Sequence, residues 1–304
     1  MNRCFISASI PVFARTNILS ILKSIPQSSR SLLIQSIIDI STQYNAMSST
    51  PIDASALFLN ATKSFPQLAT GQGDLHEFVS ECLVSIRRAL RPHHRSINSE
   101  MIDAITPMFV TSKSRTRSSD LTMHEATERS VIELGLPDEQ DDAGTALQIV
   151  ALQDLVDKAF APQVDEDISK KIDGFMWSQQ LPSTGIAIFQ INRTHYVDNY
   201  YNRTKVNIPL SVIINDVEYF LLCASLHHGG LEGGHFTVVC VDGHSAVYVN
   251  DEKVYENGDL SQVLIHPFVQ RQVTLAVYEA QELVIPSGLY YKAKQNMNEG
   301  KVCQ

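Results

Sequence analysis

Residues 229–254, GGLEGGHFTVVCVDGHSAVYVNDEKV, constrain this chain more than any other stretch. A glycine pair, Gly233 and Gly234, leads into His235 and an apolar run over 236–241 that is rich in β-branched residues. An Asp242-Gly243-His244-Ser245 turn signal follows, then a second run, 246–249, ending on Asn250 and Asp251. The pattern predicts a β-hairpin. Antiparallel pairing brings the start of one strand beside the end of the other, so His235 is expected next to Asn250. An imidazole oriented by an amide or carboxylate is the base half of a nucleophilic site. The nucleophile itself has to come from elsewhere in the chain.

Upstream, the texture is helical. Leu75, Phe78, Val79, Cys82, Leu83, Ile86 and Leu90 form an apolar stripe that predicts a helix over 73–91, closed by Pro92. Shorter helices are expected over 18–25, 32–44 and 53–62, the last with Asp53 as a cap, and again over 147–160. The Ser/Thr/Arg-rich stretch 111–119 and the acidic stretch 137–144 read as loops. After Pro182, short β-branched and aromatic runs crowd together at 185–191, 206–214, 217–226, 235–241, 246–249 and 272–278, with Asn215-Asp216 as a tight turn. Helices first and one antiparallel sheet second make an α+β plan with a cleft where they meet. Residues 283–304 read as a tail.

The balance of 24 basic against 33 acidic residues, net −9, argues against nucleic acid or an anionic membrane as the partner and suits a basic protein or peptide. No run approaches the ~20 apolar residues of a bilayer span. Five scattered cysteines without a CxxC pair indicate neither a disulfide framework nor a structural zinc site, and the expectation is a cytoplasmic monomer.

Scarcity makes each cysteine a separate question, whereas no G-x-S-x-G elbow singles out a serine. Cys82 lies on a helix stripe, Cys223 and Cys240 lie inside apolar strands, and Cys303 lies in the tail. Cys4 precedes the run Phe5-Ile-Ser-Ala-Ser-Ile10, which can start a helix, and a helix N-terminus stabilises a thiolate. His227, His228 and His235 cluster in sequence, but the glycines between them do not suit a rigid tetrahedral metal site, and no metal or cofactor is expected. His93-His94 reads as a solvated helix end.

Three separated segments, taken together, resemble the motif series of the ubiquitin-specific proteases, papain-like cysteine proteases that remove ubiquitin from proteins. They are Cys4-Phe-Ile-Ser-Ala8, Gly71-Gln-Gly-Asp-Leu-His-Glu-Phe78, and Gly233-Gly-His-Phe236 with Val249-Asn-Asp251. The intervening strands, with Asn192-Arg193 as an Arg-containing turn and Lys205-Val-Asn-Ile-Pro209 as the strand after it, follow the same order across about residues 1–280. The resemblance implies a papain-like fold in a single catalytic domain over 1–282, with a helical thumb to about 105, then reduced, metal-free fingers and a β palm. It makes Cys4 the nucleophile, His235 the base, Asn250 the residue that holds the imidazole and Asp251 its polar neighbour. It places Gln72, Asp74 and Glu77 beside the basic, Gly-Gly-ended tail of ubiquitin, where carboxylates would meet arginines. Asp74 and Glu77 equally suit the capping of a helix, and Gly233 and Gly234 suit either a close approach to the tail or a turn with positive φ.

The match departs from the family in three places. Only three residues precede Cys4, so the asparagine the family carries five residues before the nucleophile has no counterpart, and Asn2 stands at a different position. A mis-called start, a site served by backbone N–H groups, and weak activity all fit that departure. Ser7 and Pro11 replace the asparagine and glutamine after the nucleophile, and the paired CxxC ribbon is absent. The expected function is a deubiquitinase acting on ubiquitin or ubiquitinated proteins. The alternatives are a ubiquitin-binding relative without turnover and a protease for another Gly-Gly-ended modifier or a polyprotein.

Overall fold

The computed structural model describes residues 4–46, 52–69, 74–93, 110–115, 122–125, 130–137, 149–161, 163–164, 175–180, 185–195, 200–230, 233–251 and 253–280. Gln72, most of the acidic stretch 137–144 and the tail 283–304 lie outside them. The described helices are α1 Cys4–Arg15, α2 Ile18–Ser24, α3 Leu32–Asn45, α4 Ser55–Ser64, α5 Leu75–Leu90, α6 Leu152–Phe160, α7 Leu260–Ile265 and α8 Pro267–Gln272. The strands are β1 Val110–Arg115, β2 Thr122–Glu125, β3 Ile132–Gly135, β4 Ile149–Ala151, β5 Gln163–Val164, β6 Phe175–Gln180, β7 Ile186–Asn192, β8 Thr194–His195, β9 Tyr200–Tyr201 and β10 Lys205–Asn207. They continue as β11 Ser211–Ile214, β12 Val217–Gly230, β13 Gly233–Asp242, β14 Ser245–Asn250, β15 Lys253–Asp259 and β16 Val273–Ala280.

One large sheet, in the order β15-β14-β13-β12-β16-β7-β3 with β11 beside the start of β12, carries the second half of the chain. Its central strands β12, β13, β16 and β7 are apolar runs because both faces are buried. Cys223, Val238, Cys240, Ile188 and Val277 face a core made with α1–α5, while their neighbours Ala224, Val239, Ala187 and Tyr278 enter a second core. That second core takes in Leu152, Leu260 and Val269, from α6, α7 and α8. The sheet is thus sandwiched between an N-terminal helical layer and three later helices.

Helix α1 is buried nearly all round, Pro11 included. It lies along β13, with the thiol of Cys4 at the N–H of Phe236 and the guanidinium of Arg15 on the carbonyl of Val241. Twelve helical residues and five strand intervals both span about 17–18 Å, so the two elements match in length. The Phe5 and Phe78 rings meet edge-on at 5.7 Å and pin α1 to α5. Helix α5 buries every residue of the predicted stripe. Asp53 Oδ1 accepts from Ser55 N, but Ala54 holds the cap position of α4, so Asp53 lies one residue outside the cap expected of it. Asn215 and Asp216, both at positive φ, make the tight turn between β11 and β12.

Several expectations are corrected. Residues 111–115, expected in a loop, belong to β1, which pairs with β2 and β6. A backbone ladder does not require apolar side chains, so composition hides such a strand. The run 206–214 is two strands, because Pro209 interrupts the ladder: β10 pairs parallel with β4, and β11 antiparallel with β12. The large sheet is not wholly antiparallel, since β3 runs parallel to β7. The helix expected over 147–160 starts only at Leu152, after β4.

Candidate active site

Cys4 opens α1 and is 4% exposed. Burial pushes its thiol above the ordinary range. The backbone N–H of Phe236 opposes that shift, the Asp251 carboxylate adds to it, and the N–H groups of Phe5 and Cys4 pull the other way. These last two belong to the first turn of α1, where N–H groups have no intrahelical acceptor. The resting sulfur is therefore a neutral thiol at neutral pH, ringed by donors that would hold an anion.

His235 lies near the start of β13, and its Nε2 is 2.7 Å from Oδ1 of Asn250, the last residue of β14. An amide oxygen only accepts, so Nε2 carries the proton and Nδ1 keeps the lone pair of a base. The hairpin register, Val238 opposite Val249 and Asp242 opposite Ser245, brings the two side chains to the same end of the sheet. Asp251 follows at φ 51°, with Oδ2 3.7 Å from the same nitrogen. That separation exceeds a hydrogen bond and suits an ion pair once the ring is protonated. Cys4, His235, Asn250 and Asp251 thus gather at one end of β13 and β14.

Asp74 caps α5, its Oδ1 accepting from His76 N at 3.0 Å and lying 2.6 Å from His76 Nδ1. Burial disfavours both charged forms, but their mutual hydrogen bond and charge prevail, holding Asp74 below and His76 above its ordinary value. Stability from this pair is complete below the ordinary histidine value of 6.5 and fades as pH rises through the raised one. At the acid end it is present above the ordinary aspartate value of 3.8 and is lost as pH falls through the depressed one. Asp74→Asn keeps a capping side chain and removes the charge. Its melting temperature is expected to fall furthest below wild type between pH 4 and 6.5 and to converge on it in alkaline buffer, as read by thermal unfolding across pH. Glu77, on the first turn of α5, is exposed.

Beside this helix start lies a cavity of about 290 Å³, with Asp74, His76, Glu133, Gln190, Tyr201 and Gly233 in its wall. Two buried polar atoms there, Gln190 Oε1 and Tyr201 OH, have no hydrogen-bond partner among the described residues. Orphaned groups of this kind cost stability unless a ligand meets them. Sequence reasoning missed Glu133, Gln190 and Tyr201. The signal for Gln190 was its being the one polar side chain in the run 186–191.

Gly233 and Gly234 lie in β13, paired with Gly230 and Gly229, and not in a turn. A Cβ on Gly234 would overlap the His227 imidazole, so this glycine is set by ring packing. Burial, with the charge of His235, holds His227 below its ordinary value against the pull of Asp74. Among the described residues, no group of three His, Cys, Asp or Glu side chains is disposed to hold a metal ion.

A family model described as ubiquitin carboxyl-terminal hydrolase matches residues 1–265, and the chain belongs to that family. No curated protein matches it. Among solved structures, a chain of the SAGA Ubp8/Sgf11/Sus1/Sgf73 DUB module bound to ubiquitin aldehyde matches with a TM-score of 0.68 at 15% identity, over 92% of this chain and 68% of the other. The module with a variant Ubp8, bound to monoubiquitin, matches with a TM-score of 0.65 at 16% identity, over 92% and 67%. At such identity the likeness is one of fold, and it is the papain-like fold that the motifs imply.

Proposed function

We propose that the protein is a thiol-dependent deubiquitinase that hydrolyses the peptide or isopeptide bond after the terminal glycine of ubiquitin. The observation that carries the reading is the 2.7 Å bond from His235 to Asn250, which leaves Nδ1 a base at the end of β13 where the Cys4 thiol sits. With the Cys4 thiol protonated at rest, His235 takes its proton as sulfur attacks the glycine carbonyl carbon. The developing oxyanion draws on the N–H groups around Cys4. His235 then gives the proton to the departing amine as the C–N bond breaks. In the second half, water adds to the thioester, His235 accepts its proton, the C–S bond breaks and sulfur regains a proton.

The extended tail of the substrate would enter through the cavity beside α5. Asp74 and Glu133 suit arginine there, and Gln190 Oε1 and Tyr201 OH suit a peptide backbone. Tyr201→Phe is accordingly expected to raise KM for a ubiquitin amide about 5-fold with kcat unchanged, the worth of one ~1 kcal/mol hydrogen bond.

The nucleophile is tested with ubiquitin bearing a thiol-reactive group at its C-terminus. Wild type should form one covalent adduct by mass spectrometry, and Cys4→Ala none. An unreactive wild type, or a variant that reacts equally, removes Cys4 from the role, and the same assay with other Gly-Gly-ended modifiers reads the choice of modifier.

A further inference from the structure

Strand β12 sets a second imidazole directly across from the candidate base. His228 and His235 are Cα partners in the β12–β13 ladder, so their side chains leave the same face of the sheet. Their rings lie 6.3 Å apart at an interplanar angle of 29°. The ring of Phe268 from α8 also stacks on His228, at 5.0 Å and 26°.

His228 is itself anchored. Its Nε2 is 2.5 Å from Thr237 Oγ1 and 3.4 Å from the hydroxyl of Tyr248. Thr237 is 1% exposed and sits two residues after His235 on the same strand. A ring with two stacking partners and a buried hydroxyl on its nitrogen has little freedom to turn. Burial, followed by the charges of His235 and His227, holds His228 down at about 4, so it stays neutral at neutral pH.

We infer that His228 is a positioning residue that fixes the His235 ring, keeping Nε2 on Asn250 and Nδ1 free for Cys4. The catalytic consequence rests on the deubiquitinase reading, whereas the orientation of the ring does not. The His235 side chain is 36% exposed at a strand end, and among the described residues His228 is the ring stacked against it, so its loss frees the imidazole to rotate and exchange its two nitrogens. Ring alignment matters because proton transfer requires the correct nitrogen within hydrogen-bond reach.

Two readouts test the inference with the full chain. Long-range proton–nitrogen NMR should show His235 in the wild type as a single tautomer protonated on Nε2. In His228→Ala it should populate both tautomers, while His228→Phe, which keeps the stack, should stay close to wild type. On a fluorogenic ubiquitin amide, His228→Ala should lose about 10-fold or more in kcat with KM little changed, and His228→Phe should recover most of it. Thr237→Val, which loosens the anchor without altering His228, should shift both readouts in the same direction by a smaller amount, about 3-fold in kcat. It decides the question if His228→Ala does not fold. A single Nε2 tautomer retained in both His228→Ala and Thr237→Val, or unchanged kcat in both, overturns the inference. Failure of the wild type to cleave the amide overturns the deubiquitinase reading instead and leaves the tautomer comparison to decide the role of His228.

Discussion

His235→Gln is expected to lower kcat/KM for a ubiquitin amide about 10³-fold at neutral pH. General-base contributions run about 10²–10⁴-fold, and here burial has already pushed the Cys4 thiol up, so little sulfur is ionised without help. A raised thiol leaves the variant dependent on the small spontaneous thiolate fraction, which grows about tenfold per pH unit below the thiol value. The activity of His235→Gln should therefore climb steeply with pH, whereas the wild type, with a built-in proton acceptor, should climb less. Asn250→Ala should lose about 10- to 100-fold and Asn250→Asp much less, because only the acceptor on Nε2 is at issue. The double variant His235→Gln/Asn250→Ala should be no worse than His235→Gln, since Asn250 acts through the imidazole. Additive losses would mean that Asn250 acts elsewhere, and a His235→Gln variant within tenfold of wild type would remove His235 as the base.

Much of this arrangement was legible in residue order. The α5 stripe fixed a helix, since each of its seven apolar positions is buried. The hairpin followed from two β-branched runs around Gly243, and pairing geometry then set His235 against Asn250. What residue order hid was decided by distant partners. The strands through Cys223 and Val238 read only as apolar because helices cover both faces, so the runs could not say which side meets Cys4. Strand β1 has no apolar pattern and exists through its ladder with β6, some sixty residues on. Tyr201 and Gln190 gain meaning only when β9, β7 and the start of α5 enclose one cavity. The same holds for His228, whose neighbours His235, Tyr248 and Phe268 come from three other elements.

The largest stability effect is expected at Arg193, which the motif reading treated only as part of a turn. It is 2% exposed and follows β7. Its Nε donates to Val273 O at 2.7 Å and its Nη2 to Gln270 O at 2.9 Å, while Nη1 reaches Asn202 O at 3.0 Å and Thr204 O at 2.9 Å. One planar guanidinium thus satisfies four carbonyls from two segments far apart in sequence, and joins the loop before β10 to the junction of α8 and β16. Asn202 extends the knot, its side chain donating to Pro137 O and accepting from Thr204 N. Arg193→Ala strands these acceptors in a dry interior at about 1–3 kcal/mol each, against a typical total stability of only about 5–15 kcal/mol. Even partial relaxation leaves a loss of about 4 kcal/mol or more, a large share of that total. Arg193→Lys should recover little, because an ammonium cannot serve four acceptors spread around a flat fork. Urea unfolding followed by tryptophan and far-ultraviolet signals would measure the loss, and a value under about 1 kcal/mol would show that the carbonyls find other partners. Because Arg193 also lines the cavity beside α5, a partly folded variant should lose ubiquitin affinity before it loses the Cys4–His235 end of the site.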